Sequence, residues 1–198
     1  MRSNTNKHLI AAALSAIAAG NVEQTEAGVL LPGNVLACGE YFHTVNGEDM
    51  RVDKNLLTTQ FLNYLLMCGL HTQAKIANWY LALFSGNVTP AVNWTAATFP
   101  AAASEIVSGT EGYSQANRPL FNGTAAAGNQ IDNLTGGKAA FTIVTATSLI
   151  VRGAALASDQ LKGSTNGVLA SASRFAADRT LFNGDNFELG YRVTLNAV

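Results

Sequence analysis

The sequence predicts a mainly β fold: an antiparallel β-sandwich, jelly-roll-like or immunoglobulin-like, with an N-terminal helix/hairpin arm and one further helix. Three observations predict it. Residues 182–198, FNGDNFELGYRVTLNAV, place an Asn183-Gly184 turn signal before clean alternation, with Phe187, Leu189, Tyr191, Val193 and Leu195 on one face. Period-two alternation of this kind marks a strand with one face buried. About seven strand-like runs, most separated by turn residues, fall between residues 77 and 198, the spacing of an antiparallel sandwich. Hydrophobic residues make up 48% of the 198 residues, enough for the sizeable core a sandwich needs. Three regions are expected: a helical docking arm over 1–27, a β-hairpin plus helix over 28–76, and the sandwich over 77–198.

The arm begins MRSNTNKHLIAAALSAIAAG, basic at Arg2 and Lys7 and apolar from Leu9 to Ala19. These features resemble a secretory signal peptide. Alanine has high helix propensity, and Leu9, Ile10, Leu14 and Ile17 lie near one side of a helix. The reading adopted is an amphipathic docking helix with those four residues as interface positions. The apolar run falls short of the ~20 residues that span a membrane.

Residues 28–53 read as strands, with a Pro32-Gly33-Asn34 turn and an Asn46-Gly47 hairpin signal. In KNLLTTQFLNYLLMCGL, Leu57, Phe61, Leu65 and Cys68 follow helical spacing, and Gly69 occupies the place of a C-terminal cap. Its mostly apolar surface predicts a helix covered on more than one side. NWYLALFS is a continuous apolar run and predicts a strand buried on both faces. Residues 86–105 hold Pro90 and Pro100 and predict a long irregular loop with Trp94 and Phe99 as anchors, facing inward or outward. An edge strand is expected to end at Pro119. Two β runs follow, Ala139–Ala146 and Ser148–Leu156, then GVLASASRF, then a connection over Arg174–Thr180 into the last strand.

Charged residues are only 13% of the chain and the net charge is −1, against roughly 25% charged in an average domain. Such a surface suits lateral protein contacts, since burying it desolvates few ions. It offers no basic excess for nucleic acid. The expected partners are therefore other proteins and further copies of the chain, with no nucleic acid and no membrane. Cys38 and Cys68 are too few for a disulfide framework and read as two buried free thiols.

No motif carries an obvious chemistry. His8, His43 and His71 lack neighbours at metal-ligand spacing. There is no G-x-S-x-G, and LTGGKAA lacks the spacing of a phosphate-binding loop. No catalytic, cofactor-binding or metal residue is assigned, and no cofactor is expected. Trp79, Tyr80 and Trp94 offer aromatic surface for a sugar, which leaves a glycan- or receptor-binding module as one alternative.

Four strings in order carry a resemblance. DKNLLTTQFLNYLL supplies Asn55, Leu56, Thr58, Leu62, Asn63 and Leu65; NWYLALFSG supplies Trp79 to Leu83; TEGYSQANRPLF supplies Tyr113, Arg118 and Pro119; and the C-terminal segment supplies Gly184, Asp185 and Phe187. Together they resemble a family of small virion proteins of tailed bacteriophages and prophages, over roughly residues 53–198. The resemblance implies a non-enzymatic structural role in the virion, with the major capsid protein or neighbouring subunits as partners. A capsid decoration or cement protein is the favoured form. A tail or head–tail junction protein, as adaptor or fibre attachment, is the alternative. Leu9, Ile10, Leu14, Ile17, Trp94 and Phe99 are the expected interface residues.

Overall fold

The computed structural model describes residues 23–25, 28–30, 35–135 and 137–197. Residues 37–195 form one compact unit; residues 1–36 with 196–198 form a second. In the second unit the described residues pair β1 (Glu23–Thr25) antiparallel with β2 (Gly28–Leu30). The end of the expected helical arm is thus strand rather than helix. Leu9, Ile10, Leu14 and Ile17 lie outside the described residues.

The large unit is mainly β, with two antiparallel sheets facing each other across one core. Strand β3 (Val35–Val45) turns at Asn46-Gly47 into β4 (Glu48–Lys54). Both turn residues have positive φ, 53° and 80°, the geometry that makes Asn-Gly a hairpin turn. The short β5 (Leu56–Leu57) leads into helix α1 (Thr59–Leu70). Next come β6 (Tyr80–Phe84), the short helix α2 (Phe99–Ala103), β7 (Gly112–Tyr113) and β8 (Gln130–Asp132). Strands β9 (Ala139–Val144), β10 (Leu149–Ala157), β11 (Leu169–Leu181) and β12 (Asn186–Ala197) complete the order. One sheet runs β5-β11-β10-β6; the other runs β4-β3-β12-β9-β7, with β8 added on β12.

Hairpin and helix therefore do not form a layer of their own. Strands β3 and β4 belong to the larger sheet and β5 to the smaller, so the chain does not divide at the expected 76/77 boundary. Strand β12 is interior to its sheet, between β3 and β9, and its alternating face enters the core: Phe187, Leu189 and Tyr191 are buried.

Alternation assigns each residue of the smaller sheet to one of two cores. Leu81, Leu83, Ala154 and Leu156 face the larger sheet. Ala82, Phe84, Ala155 and Ala157 face away, where Ala96, Phe99 and Ala103 cover them. This explains the unbroken apolar run in β6, which is buried on both faces as expected. It also explains the 86–105 segment: this is the cover over the outer face, and the alanines beneath it let it approach closely. Phe99 is fully buried and stacks edge-on to Phe84, with ring centroids 6.2 Å apart. It is a core residue of the chain, so the expectation that it is an interface residue is corrected. Trp94 is half-buried against Phe99.

Four further expectations change. Arg174–Thr180 is not a connection but part of the thirteen-residue β11. Its register jumps from Val151↔Arg179 to Gly153↔Arg174, so β11 bulges there. The bulge is tied down by Asp53 Oδ1, which accepts from the Ala176 amide at 2.7 Å. Helix α1 begins later than its apolar spacing suggests, because Leu56 and Leu57 pair with Ala172 and Ser171. Gly69 lies inside the helix and His71 caps it. The cysteines are free as expected, but Cys38 is exposed and Cys68 half-buried.

Candidate functional site

Helix α1 is anchored most densely at its N-terminal end. Thr58 Oγ1 accepts from the Phe61 amide at 3.1 Å and itself donates to the Leu169 carbonyl, which makes it an N-cap fixed to β11. Gln60 extends the anchor: its Oε1 accepts from the amides of Ala96 and Leu169, both at 2.9 Å, and its Nε2 donates to Gly167. Beyond this first turn the polar ties are fewer: the Tyr64 hydroxyl accepts from the Ile76 amide, and the Cys68 thiol donates weakly to the Ala74 carbonyl at 3.9 Å.

Phe61, Tyr64, Leu65 and Cys68 recur at i, i+3, i+4 and i+7 and turn inward. Trp79 meets Phe61 and Tyr64 edge-on, at centroid distances of 5.5 and 5.7 Å. The two sides do not close. A groove of about 490 Å³ remains between α1, the 75–79 segment, Phe121, and the outer part of β12. Leu156, Tyr191 and Val193 are among its apolar lining. Among the described residues Lys75 is the one charged residue that lines it, and Asn129 and Gln130 supply amides.

The other side of α1 carries a second apolar stripe. Leu62, Leu66 and Leu70 recur at i, i+4 and i+8, and their exposures are 42, 59 and 85%. Met67 is exposed beside them at 41%. No residue of α1 is buried, contrary to the covered helix that its composition predicts. The helix has no charged residue at all. Scattered exposed apolar residues are ordinary; a contiguous uncharged patch marks a contact surface.

Two buried polar clusters brace the sandwich. Arg118 donates from Nε and Nη2 to Glu105 in a bidentate pair, both bonds 2.7 Å, with each side chain no more than 1% exposed. Its Nη1 donates to the Asp159 carbonyl at 2.9 Å, and the Gly163 amide donates to Glu105 at 3.1 Å. Nearby, burial chiefly, and then the Glu105 carboxylate, hold the Tyr113 phenol well above its ordinary pKa.

The second cluster centres on His43, fully buried and stacked on Phe175 with centroids 4.0 Å apart. Arg179 Nε lies 2.9 Å from His43 Nδ1, and Asp53 Oδ2 lies 2.8 Å from Nε2. A guanidinium only donates, so Nδ1 must be the acceptor and Nε2–H the donor to Asp53. Both ring nitrogens are thereby committed in the neutral form. Desolvation by burial, the largest influence, lowers the His43 pKa below its usual range. Arg179 also reaches Asp49 through its side chain and carbonyl, clamping β4 to β11. Arg174 bonds Asp178 at 2.6 Å.

Among the described residues, no group of three or more His, Cys, Asp or Glu is placed to hold a metal ion, and no helix is long and apolar enough to cross a membrane. That the stripe is open and that a groove lies beneath the helix escape sequence reasoning, because apolar helical spacing reads the same whether a face is covered or open. Compared with known proteins, the chain matches no family model and no curated protein.

Proposed function

We propose that this chain is a non-enzymatic structural protein of a tailed-bacteriophage virion, most consistent with a many-copy decoration or cement protein on the capsid shell. The observation that carries this reading is the uncharged α1 stripe of Leu62, Leu66, Met67 and Leu70, exposed on a helix with no buried residue. An apolar, charge-free surface meets a protein partner with little desolvation cost. The near-neutral chain favours close repetition of copies, since copies of net charge −1 repel each other weakly. The four ordered strings that resemble phage virion proteins support the same role. Leu9, Ile10, Leu14 and Ile17 are proposed as a second set of contacts, and Trp94 as a marginal one.

An add-back experiment tests the reading. Particles assembled without the chain are incubated with purified protein, and the bound copies per particle are counted. Saturation at a fixed number, close to the number of major shell subunits, is expected. Leu66→Asp with Leu70→Asp should weaken capture at least tenfold without changing the melting temperature of the free chain. Saturation at six or twelve copies would replace the decoration reading with a tail or junction one. No saturable capture would overturn the virion reading.

A further inference from the structure

We propose that the groove beneath α1 is a binding site for a single-chain anionic amphiphile, an alkyl carboxylate of fatty-acid type. This goes beyond the structural role and does not depend on it.

The size of the groove, about 490 Å³, lies in the range of sites that enclose small molecules. Its chemistry narrows the class. Phe61, Trp79, Phe121, Leu156 and Val193 offer apolar contact along the walls. The two tyrosine hydroxyls that belong to it already have partners: Tyr64 accepts from the Ile76 amide, and Tyr191 accepts from Asn55 Nδ2 at 2.9 Å. Each hydroxyl keeps one proton to donate, but with Lys75, Asn129 and Gln130 these are the few polar groups of the described lining, and the many hydroxyls of a sugar or the phosphates of a nucleotide would go largely unmatched there. An alkyl chain leaves nothing unmatched.

The polar end is specified by Lys75. Among the described residues it is the only charged one that lines the groove, it is exposed, and no ion pair uses it. Cysteine Cys68 and the amides of Asn129 and Gln130 complete the non-hydrocarbon lining. One cation without an ion pair among the described residues, on a groove whose described lining is otherwise uncharged and mostly apolar, is complementary to a carboxylate on an alkyl tail. It is equally mismatched to a cationic amphiphile of the same length.

Trp79 lines the groove and is one of two tryptophans, so Trp94→Phe makes its fluorescence a local reporter. The purified Trp94→Phe chain is titrated with octanoate, decanoate and dodecanoate below their micellar concentrations. Saturable one-to-one binding is expected, with affinity rising about fourfold for each added methylene. Dodecyltrimethylammonium should bind at least tenfold more weakly than dodecanoate. Lys75→Glu, a change on an exposed residue, should reverse that preference while leaving the melting temperature unaltered. Cys68→Phe, which fills the groove, should abolish binding of both.

Absence of saturable dodecanoate binding would overturn the proposal. Equal affinity for the two head groups, or Lys75→Glu without effect, would overturn the assigned role of Lys75 and with it the ligand class. Binding to anionic vesicles without binding of free dodecanoate would mark a membrane-facing surface instead. A Trp79 signal that depends on protein concentration and not on dodecanoate would show the groove to be filled by a second copy. None of these outcomes requires a particle, so failure here is separate from failure of the add-back experiment.

Discussion

Glu105 and Arg118 are buried together, and their value is asymmetric. Two charges taken out of water offset their desolvation only through each other and the surrounding carbonyls. Removing one partner strands the other. Glu105→Ala should therefore cost about 3–5 kcal/mol in urea unfolding, whereas Glu105→Leu combined with Arg118→Met should restore most of the loss. His43 makes a prediction at the opposite pH limits from the tyrosines. Its folded pKa is depressed, so its contribution is complete above the unfolded value of about 6.5 and is lost as pH falls below it. Protonation at Nδ1 would also displace the Arg179 donor. At the alkaline end, burial pushes the Tyr191 phenol up to about 12. A raised folded pKa is stabilising below the unfolded value of about 10 and is lost as pH climbs towards 12. Stability measured by denaturant midpoints should thus be flat near neutrality and fall on both sides. His43→Gln should start lower and remove much of the slope on the acid side; an unchanged acid slope would show that another group carries it.

At the scale of elements, what was legible followed from period. Alternation in Phe187–Leu195 marks β12, and the Asn46-Gly47 pair marks the β3–β4 hairpin, because both signals are local. The split of the apolar run in β6 between two cores is also implicit in its residues, since a strand with no polar face must be covered twice. Strand β11 was not legible. Arg174, Asp178 and Arg179 look like loop residues, and only tertiary pairing with Asn87, Arg152 and Asp49 lets a strand carry them. The start of α1 was misplaced for a related reason: the pairing of Leu56 and Leu57 with β11 overrides their helical spacing. The bulge in β11 also dictates a glycine. At Gly153, a Cβ would overlap the Phe84 ring and the Ser173 carbonyl oxygen. Backbone cannot retreat within a paired sheet, so Gly153→Ala should destabilise the fold by about 1–3 kcal/mol, measured as a lowered unfolding midpoint. A neutral result would mean that Phe84 repacks at no cost and that the second core is loosely filled.

At the scale of the molecule, the residues that hold the fold are separate from the exposed α1 stripe. Both cores are closed by the chain's own strands and its 86–105 cover, while the α1 stripe contributes nothing to either. The exposed leucines are therefore free to change without unfolding the protein. Leu66→Asp alone should shift stability by no more than about 0.5 kcal/mol while weakening capture by particles, a separation that a core residue such as Phe99 cannot show. The candidate surface was half legible: an apolar helix was evident, but which of its faces stayed open depended on where Thr58 and Gln60 pin its first turn. The groove was not legible at all, since its walls come from segments as distant in sequence as Phe61, Phe121 and Val193.

The most direct measurement is the stoichiometry of this chain in purified native particles, by quantitative mass spectrometry against the major shell protein. A capsid decoration or cement protein predicts a ratio near one to one. Absence of the chain from the particles would contradict the virion role outright.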